Sequence, residues 1–231
     1  MNVHVLIPAA GAGRRMRADV NKQYLSLGSR PILAHTIDLF EQHSAVDSIT
    51  LIAPEAEIPY CRDDIVARFG FAKIRQIVAG GAERQDSVRN GLRACAADDD
   101  DIILIHDGVR PLLPGGLIDS VVAAAVANSA ALIAVPAKDT IKVVVDGKVT
   151  ATPDRSTIWL AQTPQAFRYR LIASAHEKAY NHNYRATDDA QLAEWIGAPV
   201  AVVPGSYANL KITTPEDLEL AASILQREED E

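Results

Sequence analysis

Cysteine is scarce in this chain of 231 residues: Cys61 and Cys95 are the only two, far apart and without a CxxC partner. That argues against a disulfide framework and reads as reduced, structural thiols, which suits the cytoplasm. Long apolar runs are missing too. The longest stretch, Val121 to Val135, is broken by Asn128 and Ser129 and falls short of the roughly 20 residues a spanning helix needs. Met1-Asn2-Val3-His4 lacks the basic n-region of a signal peptide. The expectation is therefore a cytoplasmic protein with no membrane partner. Positive charge is in deficit, with 23 Lys and Arg against 30 Asp and Glu for a net charge of −7. An acidic chain is a poor bulk ligand for nucleic acid, so no nucleic-acid partner is expected. Against that background Arg14, Arg15, Arg17 and Lys22 crowd within nine positions after a Gly-rich turn. Such a cluster suits a small, strongly charged anion.

With 48% hydrophobic and 23% charged residues, the composition is that of a globular chain, of a length that suits one large α/β domain or one domain plus a small appendage. Val3–Ile7, Ser48–Ala53, Lys73–Val78, Ile102–Ile105, Ala131–Val135 and Val200–Val203 read as strands. Several are apolar at nearly every position, as in a parallel sheet covered on both faces. Helices are predicted over Pro31–His43, Glu83–Cys95, Gly116–Ala127, Arg170–Tyr180, Asp188–Ile196 and Pro215–Leu225. Strands spaced by helices predict a doubly wound, mostly parallel, Rossmann-like α/β sheet. No linker divides the chain, so residues 1–231 are expected to form a single domain. One segment breaks the alternation: Asp146-Gly147 lies between Ile141–Val145 and Lys148–Thr152, the signature of a type I′ hairpin. A lone hairpin is barely stable in water, so it must pack on its own domain or on another subunit. The acidic run Asp98–Asp101 reads as a solvated loop.

Five stretches carry candidate chemistry. In "LIPAAGAGRRM" a strand runs into Pro8-Ala9-Ala10-Gly11-Ala12-Gly13, which leaves backbone N–H groups bare for a phosphate or a base. A dinucleotide fingerprint would need a third glycine where Met16 stands, and no Gly-Lys-Ser/Thr follows for a Walker loop. A tight turn with solvated arginines remains the plain alternative. In "ILIHDGVRPLL" Asp107 follows a strand at its carboxyl end, where ligands sit in open sheets. A single carboxylate there suits Mg²⁺, while a turn cap paired with Arg110 is equally physical. His106 is given no chemistry. "VAGGAERQDSV" places Gly81 and Ser87 where a base edge could be read, or where a helix simply starts. Arg155 follows the hairpin in "DRSTIW". In "NLKITTPEDL" Thr214 and Pro215 open a helix as N-cap and first residue, which leaves Lys211 to be either solvated or aimed at an anion.

Taken in order, PAAGAGRRM, NKQYL, GGAERQDSV, HDGVRP, the DTIK hairpin, DRSTIW, QTPQAF and NLKITTPEDL resemble the 2-C-methyl-D-erythritol 4-phosphate cytidylyltransferase family of the non-mevalonate isoprenoid pathway. The resemblance covers essentially the whole chain. It implies the sheet of nucleotide-diphospho-sugar transferases and a homodimer built by the arm of residues 139–155. CTP would lie on Pro8, Ala9, Ala10, Gly11 and Gly13, with Gly81, Ser87 and Gly108 beside the nucleoside. Arg15 and Lys22 would grip the triphosphate, and Asp107 would hold Mg²⁺. Arg155 and Lys211 would hold the polyol phosphate, with Arg110, Thr140 and Thr163 assisting. Some members carry an acidic residue at Ala82 or Ala208, and Ala-Ala in place of Gly108-Val109.

The chemistry is consistent with these residues. A substrate phosphate oxygen attacks the α-phosphorus of CTP in line and pyrophosphate leaves. Both reactants are anions, so the protein must suppress repulsion and hold geometry. An ionised phosphate needs no general base. The related ribitol 5-phosphate cytidylyltransferases share the glycine loop, HDGVRP and QTPQ, whereas PAAG and the segment before Trp159 favour the methylerythritol enzyme. A non-catalytic nucleotide-binding module on the same fold is a third reading.

Overall fold

The protein is described here by a computed structural model covering residues 1–11 and 21–230. Its strands and helices follow in chain order as β1 (Val3–Pro8), β2 (Ser26–Leu27), β3 (Arg30–Pro31), α1 (Ile32–Glu41), β4 (Ser48–Ala53), α2 (Ile58–Tyr60), β5 (Ile74–Ala79), α3 (Arg84–Ala94), β6 (Ile102–Ile105), α4 (Gly116–Asn128), β7 (Ala130–Pro136), β8 (Val143–Val145), β9 (Lys148–Ala151), β10 (Trp159–Arg168), α5 (Tyr169–Asn181), α6 (Asp189–Trp195), β11 (Ala201–Pro204) and α7 (Pro215–Asp230). The short α2 runs straight into a π-helical stretch, Cys61–Ala67. Seven strands form one sheet in the order β11-β7-β10-β6-β1-β4-β5. Its pairs are parallel except those that β10 makes with β6 and β7.

Side chains of β1 alternate between two covered faces. Val5 and Ile7 join the core formed with Leu33, Ile37 and Phe40 of α1 and Val121 of α4, whereas Leu6 joins Val88 and Leu92 of α3 and Ile172 of α5. β6 repeats the pattern, with Leu104 on the first side and Ile103 and Ile105 on the second. Burial on both faces explains why β6 is apolar at every position and β1 at all but His4. The chain builds outward from β1 to β4 and β5, then returns to add β6 on the other side of β1. The carboxyl ends of β1 and β6 therefore flank a switch point, where open α/β sheets bind ligands.

The hairpin forms as expected: Asp146 and Gly147 take φ of 50° and 74°, the left-handed pair a type I′ turn requires. Burial pushes the Cys95 thiol up to about 11, in keeping with two free, buried cysteines.

Three elements differ from expectation. β10, ten residues long, occupies the middle of the sheet, yet Gln162-Thr163-Pro164-Gln165 interrupts its apolar pattern. The helical stretch from Ile58 to Ala67 is likewise unannounced. The acidic run is not all solvated: Asp98, Asp99 and Asp100 are exposed, but Asp101 is 3% exposed. Its carboxylate accepts the backbone N–H of Asn2 at 2.6 Å and of Asp98 at 2.9 Å, with His4 at 3.2 Å. It thereby ties the start of β1 to β6. No helix among the described residues is long and apolar enough to cross a membrane.

Candidate active site

The floor of the site is bare backbone. β1 delivers Pro8, Ala9 and Ala10, and the Ala9 N–H donates to Ile52 O at 2.8 Å, so the turn stays stitched to β4. β5 delivers Gly80 and Gly81 on the opposite side. A Cβ on Gly80 would stand 2.4 Å from that of Ala10, and one on Gly81 2.4 Å from that of Asp86. Only glycine allows so close an approach. A capping box between Glu83 and Asp86 then starts α3. The Ser87 hydroxyl accepts the Gly81 N–H and donates to Glu83 O, each at 3.0 Å. Its donor is spent inside the turn, and one lone pair is left for a ligand.

β6 delivers Asp107, 6% exposed, whose backbone N–H donates to Thr163 Oγ1 at 3.1 Å. Asp107 Oδ2 lies 2.7 Å from Lys211 Nζ and 3.6 Å from Arg110 Nε, while Oδ1 accepts from Arg84 Nε at 3.2 Å. Burial works to raise the Asp107 pKa, but the cations of Arg84 and Lys211 outweigh it and hold the carboxyl well below the ordinary range. Arg110 is anchored by donating to Asn209 O at 2.7 Å, and its buried Nε has no hydrogen-bond partner among the described residues. His106 bridges Arg110 O and Thr163 Oγ1. Burial pushes its imidazole down to about 4, so it is neutral at pH 7 and structural.

Two cavities meet at this carboxylate. The larger, about 360 Å³, lies over Pro8 to Gly11, Gly81, Ser87 and Lys22. The smaller, about 240 Å³, is lined by Arg110, Gln162 and Thr163. Arg84, Asp107 and Lys211 line both and form the partition between them. Lys22 Nζ donates to Ile212 O at 3.3 Å, next to Lys211. Gln23, 1% exposed, secures that lysine's turn by donating to Ala9 O at 2.7 Å.

The structure thus brings together Pro8, Ala9, Ala10, Gly11, Lys22, Gly81, Ser87, Asp107, Arg110, Thr163 and Lys211. Gly108 is placed beneath, packed toward Ala9, Ile7 and Leu33 rather than lining either cavity. Thr140 and Arg155 are exposed at the arm, and Arg155 donates to Lys138 O at 2.6 Å. Gly13 and Arg15, with Arg14 and Arg17, lie outside the described residues. Arg84 joins the site without being singled out by its motif, although its position carries a signal. It opens a helix, where the macrodipole disfavours a cation, so a positive residue there needs carboxylates to hold it.

A metal here would have one carboxylate at the partition. Among the described residues no three His, Cys, Asp or Glu side chains come together. The ionised Asp107 fits a hard cation that takes most of its ligands from phosphate and water. It does not fit a cation that requires an all-protein cage.

Comparison with known proteins points the same way. The family model described as IspD: 2-C-methyl-D-erythritol 4-phosphate cytidylyltransferase matches residues 3–227. The enzyme of that name from Syntrophotalea carbinolica is 60% identical over 225 residues, 97% of each chain. The one from Geotalea uraniireducens is 58% identical over 227 residues, 98% of this chain and 97% of the relative. Among solved structures, the 4-diphosphocytidyl-2C-methyl-D-erythritol synthase of Anaerococcus prevotii superposes with a TM-score of 0.84 at 35% identity, covering 97% of this chain and 96% of that one. The 2-C-methyl-D-erythritol 4-phosphate cytidylyltransferase of Thermus thermophilus gives 0.81 at 33% identity, with 98% and 100% covered. Matches of this length and identity leave no part of the sheet or its cleft unaccounted for, and the chain belongs to the IspD family of cytidylyltransferase enzymes.

Proposed function

We propose that this chain transfers CMP from CTP to 2-C-methyl-D-erythritol 4-phosphate, releasing pyrophosphate and forming the CDP-linked methylerythritol for isoprenoid precursor synthesis. The observation that carries this reading is the shared partition. Arg84, Asp107 and Lys211 face both cavities, so a nucleotide on one side and a polyol phosphate on the other would meet there. The glycine floor takes the nucleoside, and Lys22 with Arg15 takes the triphosphate. Lys211 and Arg110 bring the acceptor phosphate to the α-phosphorus. An acceptor oxygen forms the new P–O bond in line as the bond to the leaving pyrophosphate breaks. The cations offset the repulsion of two anions and the charge that grows on the pyrophosphate.

Asp107 would hold Mg²⁺, which when bound supplies further neutralisation of the phosphate oxygens. The chain works as one domain of residues 1–231, in the cytoplasm, and as a homodimer. The arm supports the last point: Val144, Val145 and Val149 are more than half exposed on a hairpin too small to be stable unaided. With arms crossed, Thr140 and Arg155 of one chain would complete the acceptor site of the other.

Pyrophosphate release over a grid of four nucleoside triphosphates and several polyol phosphates tests the assignment. The expected pair is CTP with methylerythritol 4-phosphate. Preference for ribitol 5-phosphate, or no release from any pair, overturns it.

A further inference from the structure

Behind the partition lies a buried pair that the reaction as described above does not use. His176 on α5 and Asp189 at the start of α6 are each 1% exposed. His176 Nε2 lies 3.1 Å from Asp189 Oδ1, and Asp189 Oδ2 accepts from Arg84 Nη1 at 2.7 Å. To donate to a carboxylate, Nε2 must carry the proton. His176 Nδ1 has no hydrogen-bond partner among the described residues, and leaving a buried polar atom unpaired is costly. An apolar side chain would fill the same space without that cost. Among the described residues, the one polar contact this imidazole side chain makes is with Asp189, and the one Lys or Arg paired with Asp189 is Arg84.

From there the contacts run forward through Arg84 Nε to Asp107 Oδ1 and from Asp107 Oδ2 to Lys211 Nζ, at 3.2 and 2.7 Å. Arg84 is therefore gripped from both sides. Its side chain is long, 31% exposed, and seated where the α3 dipole repels it. With Asp107 as its sole anchor it would have many conformers to choose from. With Asp189 behind, one planar guanidinium spans two fixed carboxylates. We propose that His176 and Asp189 are positioning residues for nucleotidyl transfer. They brace Arg84 against Asp107, so that Asp107 keeps one oxygen on Arg84 and presents the other to Lys211. Neither touches the reactants. They fix the charges that do.

This inference rests on the function proposed above. Removing such a supporting partner commonly costs about 10–100-fold, and displacing catalytic charge by an ångström costs about as much. The test compares His176→Leu, which removes the donor, with His176→Gln, whose side-chain amide can reach Asp189, and with the near-isosteric Asp189→Asn. For each, kcat and KM are measured on folded protein, CTP binding is measured by calorimetry without acceptor, and thermal melting is followed. The expectation is a kcat lowered about 10–100-fold in His176→Leu and Asp189→Asn. CTP affinity should stay within about threefold, and His176→Gln should recover most of the turnover. A purely structural role would lower the melting temperature of His176→Leu and His176→Gln alike and leave kcat per folded molecule unchanged, and that result overturns the brace. If His176→Leu does not fold, Asp189→Asn decides, because wild-type kcat in that variant overturns the brace equally. A wild-type chain inactive with CTP and the polyol phosphate would overturn the functional reading and the brace together. An active wild type whose variants keep their kcat overturns the brace alone.

Discussion

Lys211 Nζ stands 2.7 Å from Asp107 Oδ2, and the two side chains differ sharply in exposure, 39% for the lysine and 9% for the aspartate. The carboxylate is fixed in the wall, while the ammonium reaches into both cavities. Lys211→Met should therefore harm chemistry more than folding. Turnover is expected to fall about 10²–10³-fold, the usual cost of removing one charge-stabilising donor, with little change in melting temperature. Steady-state kinetics beside a thermal melt checks this. A variant that melts early but turns over normally would contradict it.

Lys22 should behave similarly. Its half-buried side chain rests on Ile212 O, and replacement by Ala removes charge from the mouth of the larger cavity. Weaker CTP binding and a turnover lowered about 10²-fold or more are expected. Unchanged CTP affinity together with unchanged turnover would show that Lys22 does not face the triphosphate.

Asp107→Asn should show two separate losses. The charge that balances Arg110 and half of the Arg84 contacts disappears in a buried place, which costs about 3–5 kcal/mol of stability. Divalent-cation dependence should weaken or turnover vanish. Urea melts measure the first effect and Mg²⁺ titration of activity the second. Full activity of the wild type in excess chelator would remove the metal role.

Acid stability should depend on Asp101. Burial raises its pKa, but the N–H groups of Asn2 and Asp98 and the contact with His4 outweigh this and bring it down to about 2. In the unfolded chain it titrates near about 3.9. The unfolded state thus binds the proton first. The contribution, about 2–3 kcal/mol, is fully present above about pH 4 and lost as pH falls toward about 2. Asp101→Asn should be less stable than the parent at pH 7, with the gap closing in acid. Urea melts between those limits read the difference directly, and a gap independent of pH would rule out the linkage.

If the arms cross as proposed, Arg15→Ala and Arg155→Ala should each be inactive alone but complement one another in mixed dimers. One site of each mixed dimer collects both defects. The other keeps Arg15 from its own chain and Arg155 from its neighbour. Reassembly should restore part of the activity. No recovery from verified mixed dimers would place Arg155 in its own chain's site.

Much of this architecture could be read from residues alone where burial is two-sided and apolar. β1, β4 and β6 declare themselves because most of their positions meet a core. β10 stays hidden because its middle is polar for reasons that appear only in three dimensions. Thr163 accepts from the Asp107 backbone, Gln162 accepts from Asn209, and Gln165 binds both Asp188 and the Ala190 N–H. Satisfied buried polar groups are indistinguishable in a sequence from a loop. Asp107 and Lys211 stood out through their places after a strand and before a cap. Asp189 did not, since a carboxylate opening a helix explains itself, and its partners are 13 and 105 positions away.

The contact between Gly80 and Ala10 has a consequence for redesign. Where two loops already meet with a single methyl between them, the accessible changes run almost entirely one way. Nearly every substitution at Gly80, Gly81 or Gly11 adds bulk, and trimming Ala9 or Ala10 gives back no more than a methyl apiece. If the base rests on this floor as proposed, exchanging side chains there can hardly broaden what it accepts. A chain meant to accept a larger base would have to lengthen the backbone between β5 and α3 instead of exchanging its side chains.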